Sequence, residues 1–188
     1  MDLKGKTVLF LGSSVTYGAA SGGVSFVEFA AEKCGFSFIK EAVSGTTLAD
    51  TDGNSYVSRL KKVDKNLKID LFVCQLSTND SYKGIPLENT REAIVFIVDY
   101  VNKTFGCPII FYTGTRFESA GYGETVKMLL KLQKEYGFYC LDLWNDPDML
   151  SVREEDRKRF MKDGVHPTLE GYRDWWAPKF VSFLLNFD

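Results

Sequence analysis

A chain of 188 residues, 45% of them hydrophobic, can bury one sizeable core and is short for two, so one domain spanning residues 1–188 is expected. Its 23 basic residues against 25 acidic ones, net charge −2, give no electrostatic footprint for nucleic acid or an anionic membrane, and a small-molecule partner is the simpler expectation. The longest apolar runs, residues 8–11 and 94–98, fall far short of the about 20 residues a membrane span requires, and the first residues (MDLKGK) lead into no signal-peptide pattern.

Cys34, Cys74, Cys107 and Cys140 are spread singly, and His166 is the only histidine. The cysteines therefore read as reduced core thiols of a cytoplasmic protein, neither a disulfide frame nor a zinc site. No metal and no organic cofactor is expected.

Taken in order, residues 6–11 read as a buried strand ending in a turn of small residues and hydroxyls (GSSVTYG). A helix is expected over 24–34, stopped by Gly35, and a short strand over 36–40 leads into Ser44-Gly45-Thr46-Thr47. Helical spacing continues over 55–67. Residues 70–76 (DLFVCQL) form an apolar strand of the kind buried on both faces of a parallel sheet, ending in Ser77-Thr78-Asn79-Asp80. Next come a helix over 88–104, a strand over 108–112, a loop over 114–123, a helix over 124–136 and a strand over 138–143. The charged stretch 145–162 reads as a long loop with a short helix around 148–160, and Pro167-Thr168 opens a last helix. Such alternation gives an α/β fold, a parallel five-stranded sheet with helices on both faces, and the order 2-1-3-4-5 with a switch point beside strand 1. The loops after strands 1, 2 and 3 then open at one edge, where Ser14, Gly45 and Asn79 can meet.

Each of these residues also has an ordinary reading. Ser and Gly are turn formers and helix caps, Gly45 can simply supply a positive φ, and Asn79 can cap the segment that follows. A lone histidine is more often a packed or surface residue than a catalyst. The context of His166 argues otherwise: Asp163-Gly164 allows a tight bend that brings a carboxylate to one imidazole nitrogen, and Pro167 fixes the chain direction beyond the ring. A base oriented by a carboxylate is what a serine hydroxyl needs to become a nucleophile near neutral pH. An amide at a strand end suits an oxyanion donor beside the backbone N–H groups of Gly45 and Ser14.

Taken together, these motifs resemble the SGNH (GDSL-type) hydrolases over nearly the whole chain. The family's Gly-Asp-Ser appears as Gly12-Ser13-Ser14, its glycine donor motif as Val43-Ser44-Gly45-Thr46-Thr47, its Gly-x-Asn-Asp as Ser77-Thr78-Asn79-Asp80, and its Asp-x-x-His as Asp163-Gly164-Val165-His166. The resemblance implies a flavodoxin-like three-layer α/β/α sandwich and a serine esterase or lipase mechanism. Ser14 would be the nucleophile, His166 the base and Asp163 its orienting carboxylate, with Ser14, Gly45 and Asn79 forming the oxyanion hole. Ser13 stands where the family has Asp and Ser77 where it has Gly, for which altered loop packing or specificity is expected.

Substrate choice is expected from the loops after strands 3 and 4, which carry Tyr82, Lys83, Arg116, Phe117 and Tyr122. With no long insertion to act as a lid, a short-acyl ester, including an acetylated sugar, is favoured over a long-chain lipid. Acyl transfer to an acceptor other than water would use the same serine. A non-catalytic module cradling phosphate at residues 12–18 is the rival from another class, but it gives no reason for Asp163 and His166.

Overall fold

The computed structural model describes residues 2–187. Its elements are β1 (Thr7–Gly12), α1 (Ser14–Tyr17), α2 (Phe26–Cys34), β2 (Ser37–Ala42), α3 (Tyr56–Leu60), β3 (Leu71–Gln75), α4 (Thr78–Tyr82), α5 (Leu87–Thr104), β4 (Ile109–Tyr112), α6 (Ala120–Tyr136), β5 (Tyr139–Leu141), α7 (Pro147–Leu150), α8 (Glu154–Phe160), α9 (Leu169–Gly171) and α10 (Ala177–Asn186). A five-residue π-helical turn, Tyr172–Trp176, joins α9 to α10. The strands form one all-parallel sheet in the order β2-β1-β3-β4-β5, as the alternation of elements implies.

The two-residue period of the strands divides the core into two layers. Val8, Phe10, Leu71, Val73, Ile110 and Tyr112 point to one face and pack under α2, the π turn and α10. Leu9, Leu11, Phe72, Cys74, Ile109 and Phe111 point to the other and pack under α3, α5 and α6. On the first face Phe26 of α2 stacks on Phe180 of α10, with ring centroids 3.8 Å apart, which ties the last helix to an early one. No helix among the described residues is long and apolar enough to cross a membrane.

Four expected elements differ, one being the single last helix expected from Pro167-Thr168, which is α9, the π turn and α10 in succession. The helix over 55–67 ends at Leu60, because the Asp64 carboxylate accepts the Asn66 N–H in a local turn and Leu67 lies exposed with no surface to bury against. The helix expected from 124 begins at Ala120, capped by the Ser119 hydroxyl; Gly121 and Gly123 are helical, and a Cβ at Gly121 would lie 3.3 Å from Ser81 of α4. The stretch 145–162 holds two short helices, α7 and α8, where one was expected. All four cysteines are unpaired, and burial pushes each thiol above its ordinary range, Cys107 to about 11 and Cys140 to about 12.

Candidate active site

The carboxyl end of β1 runs into α1 through Ser13, placing Ser14 at the first position of a one-turn helix. Such a position leaves the backbone N–H without an intrahelical acceptor, so hydroxyl and N–H stand together at the sheet edge. Gly12 permits the turn, since a Cβ there would lie 1.7 Å from Thr16 Oγ1.

The imidazole of His166 arrives from the far end of the chain. Residues 160–168 close on themselves: Lys162 N–H donates to His166 O, Thr168 N–H donates to Phe160 O, and Met161 and Pro167 form an antiparallel bridge. At the tip, Asp163 accepts from the N–H groups of Val165 (2.7 Å) and His166 (2.8 Å) and meets His166 Nδ1 at 2.9 Å. The other ring nitrogen, Nε2, lies 2.8 Å from Ser14 Oγ. Tyr172 completes the closure, its hydroxyl donating to Val15 O at 2.7 Å.

Across from Ser14, Gly45 holds a φ of +78°, which only glycine adopts readily, in the loop after β2. Asn79, in the first turn of α4, donates one Nδ2 hydrogen to Thr46 O at 2.8 Å; the primary amide has a second to offer. Ser77 caps that turn by accepting Asn79 N–H at 3.1 Å, which gives the serine at this position a structural use. Asn79 and His166 share one cleft of about 360 Å³ whose walls include Tyr82, Phe117, Glu118 and Val165. A larger hollow of about 610 Å³ lies between α5 and α6, and none of Ser14, Gly45, Asn79, Asp163 and His166 lines it. Among the described residues no group of three or more His, Cys, Asp or Glu side chains converges to hold a metal ion.

The family model of GDSL-like lipases and acylhydrolases matches residues 10–173. The chain belongs to this family. Its fold is shared with an acetylxylan esterase from Geobacillus stearothermophilus, at TM-score 0.77 and 15% identity over 100% of this chain and 98% of that one. A member of the lipolytic G-D-S-L family from Veillonella parvula superposes with TM-score 0.74 at 16% identity, covering 97% and 100% of the two chains. A family two carbohydrate esterase from Clostridium thermocellum, solved with cellohexaose, gives TM-score 0.74 at 15% identity over 96% of this chain and 64% of that one. No curated protein matches the sequence.

Of the side chains expected to meet substrate in this member of the GDSL-like family, Tyr82 and Phe117 line the cleft, Tyr82 being 89% exposed. Three are placed otherwise. Tyr122 is fully buried, because α6 starts early and carries its ring between Phe117 and Trp144; its hydroxyl accepts Gly114 N–H and donates to Leu76 O. Arg116 turns away over the Trp144 ring and donates to Trp144 O and Asn145. Lys83 donates to Gly45 O at 2.7 Å, so it braces the glycine loop.

Two further residues organise the site. Gln75, at the end of β3, accepts through Oε1 from Ser13 N–H, Thr16 N–H and the Thr16 hydroxyl, capping α1 in place of Ser13, whose own side chain caps nothing. Ser13 Oγ is buried beside the Tyr56 hydroxyl without reaching full hydrogen-bond geometry with it. Asp80, next to Asn79, accepts the N–H groups of Leu48 and Ala49 and so ties α4 to the glycine loop. The signal for Gln75 was its polarity within an apolar strand, and Asp80 stood inside a recognised motif without a stated role.

Proposed function

We propose that this protein is a serine esterase that removes a short acyl group, acetyl foremost, from a small ester, with acetylated carbohydrates as the substrate class. The observation that carries the reading is the unbroken chain Ser14 Oγ–His166 Nε2, His166 Nδ1–Asp163, with separations of 2.8 and 2.9 Å. In this reading His166 removes the Ser14 proton as Oγ attacks the ester carbonyl, and Asp163 stabilises the imidazolium that forms. Ser14 N–H, Gly45 N–H and the free Nδ2 hydrogen of Asn79 receive the oxyanion. His166 then protonates the leaving alcohol, and water repeats the sequence to release the acid. The 360 Å³ cleft is at the small end for ligand sites, which suits one sugar ring better than a long acyl chain. Its exposed Tyr82 and partly buried Phe117 offer apolar ring faces, and Glu118 an acceptor for hydroxyls. The acetylxylan esterase and carbohydrate esterase with the same fold support the same class.

The test is hydrolysis of p-nitrophenyl acetate by wild type and Ser14→Ala, with fluorophosphonate labelling of both. Wild type is expected to turn over and to label, and the variant to do neither. Equal rates in the two proteins would end the hydrolase reading.

A further inference from the structure

Among the described residues Arg59 is the one arginine whose side chain is taken out of solvent, at 5% exposure, although α3, which carries it, is only a turn and a half long. Every N–H of its guanidinium is used. Nε donates to Asn54 O (3.1 Å), Nη1 to Glu41 O (2.9 Å) and Glu41 Oε1 (3.0 Å), and Nη2 to Gly12 O (2.7 Å) and Thr46 Oγ1 (3.1 Å). The five donors of a guanidinium lie in one rigid plane, whereas an ammonium has three on a flexible stem, so lysine cannot reproduce the pattern. The Tyr56 ring, 5.2 Å from the guanidinium carbon, lies against it.

The partners matter more than their number. Gly12 O belongs to the residue that leads into Ser13-Ser14, and Thr46 is the neighbour of Gly45. A single nitrogen, Nη2, therefore sets the distance between the end of the nucleophile's strand and the loop offering the Gly45 N–H. Thr46 Oγ1 passes the constraint on by donating to Val43 O at 2.7 Å, across the turn that contains Gly45. None of these hydrogen bonds goes to Ser14 or His166. Glu41 balances the buried charge, so Arg59 acts through geometry.

Building on the reading of Ser14 as nucleophile, we infer that Arg59 is a positioning residue for the oxyanion hole, holding Gly45 N–H in register with Ser14. Its loss moves one of three donors away from the developing oxyanion, and a displacement of about 1 Å can cost roughly 100-fold in rate. Binding of the neutral ester does not use that donor in the same way, so KM should move little.

The experiment compares wild type, Arg59→Lys and Arg59→Met on p-nitrophenyl acetate, with rates normalised to sites titrated by a fluorophosphonate. Binding of a trifluoromethyl ketone, which forms an oxyanion adduct on serine, is measured alongside. The expected result is a kcat per titrated site lower by roughly 10- to 100-fold in both variants, KM within about twofold, and ketone affinity falling in parallel with kcat/KM. A purely structural role would reduce the number of titratable sites and leave kcat per site unchanged; that outcome overturns the inference. Should neither Arg59 variant fold, Thr46→Val keeps Arg59 and removes one Nη2 acceptor together with that hydroxyl's bond to Val43 O, the relay through which Arg59 acts; it is read in the same way, a kcat per site equal to wild type again overturning the inference. Inactivity of wild type would instead refute the esterase reading, so the two failures are distinct.

Discussion

At Asp163 partial burial pushes the carboxyl up, but the Val165 and His166 N–H groups and the imidazole more than reverse this, and the group is held below the usual carboxylate range. The sign follows directly. A depressed carboxyl contributes stability that is complete above its unfolded value of about 3.9 and is lost only as pH falls through the lower folded value. Asp163 is thus charged throughout the range in which imidazoles titrate. The acid limb of kcat/KM between about pH 4.5 and 8 should therefore have unit slope, one proton inactivating the enzyme. A slope of two would place Asp163 in the same titration and contradict its hydrogen-bond set. Sequence revealed this residue because Asp163, Gly164 and His166 form a local pattern whose bonds close within the motif. Gln75 and Arg59 were not legible in the same way, since the groups they hold lie up to 62 and 47 residues away. Tyr122 misled because a ring among small residues resembles a loop side chain until Phe117 and Trp144 enclose it.

The sheet was the most legible element, for the apolar runs of β1, β3 and β4 are buried and stop where polar loops begin. The short helices were the least legible. α1 and α4 span four and five residues, too few to show a period, and are fixed by Gln75 and the Ser77 cap. The junction of α8 with α9 combines the Thr168 bonds to Arg159 O and Phe160 O with a close backbone contact. Gly171 has a helical φ of −60°, yet a Cβ there would lie 2.0 Å from Phe160 O. Gly171→Ala should push α9 off the base of the His166 loop and destabilise the fold by about 1–3 kcal/mol. Urea denaturation would show this as a lower midpoint at unchanged slope, and an unaltered midpoint would show that Phe160 yields without cost.

At the scale of the molecule, Ser14 and His166 are brought together by packing between the two ends of the fold. The Ser14–His166 hydrogen bond spans 152 residues and the Tyr172–Val15 bond 157. Contacts of such separation carry the highest loop-closure cost and are disfavoured early in folding. The site then serves as a clock for its own assembly. In refolding from denaturant, recovery of fluorophosphonate labelling should lag behind recovery of the far-ultraviolet helix signal. Coincident recovery would place the docking of α10 on Phe26 in the rate-limiting nucleus. The 160–168 clip carries the consequence further: with its Asp163–His166 bonds internal, it can orient the imidazole before Ser14 docks against it. On the reading of Ser14 and His166 as nucleophile and base, reactivity is therefore assembled from two inert halves, a sheet edge bearing an unactivated hydroxyl and a clip bearing an oriented imidazole.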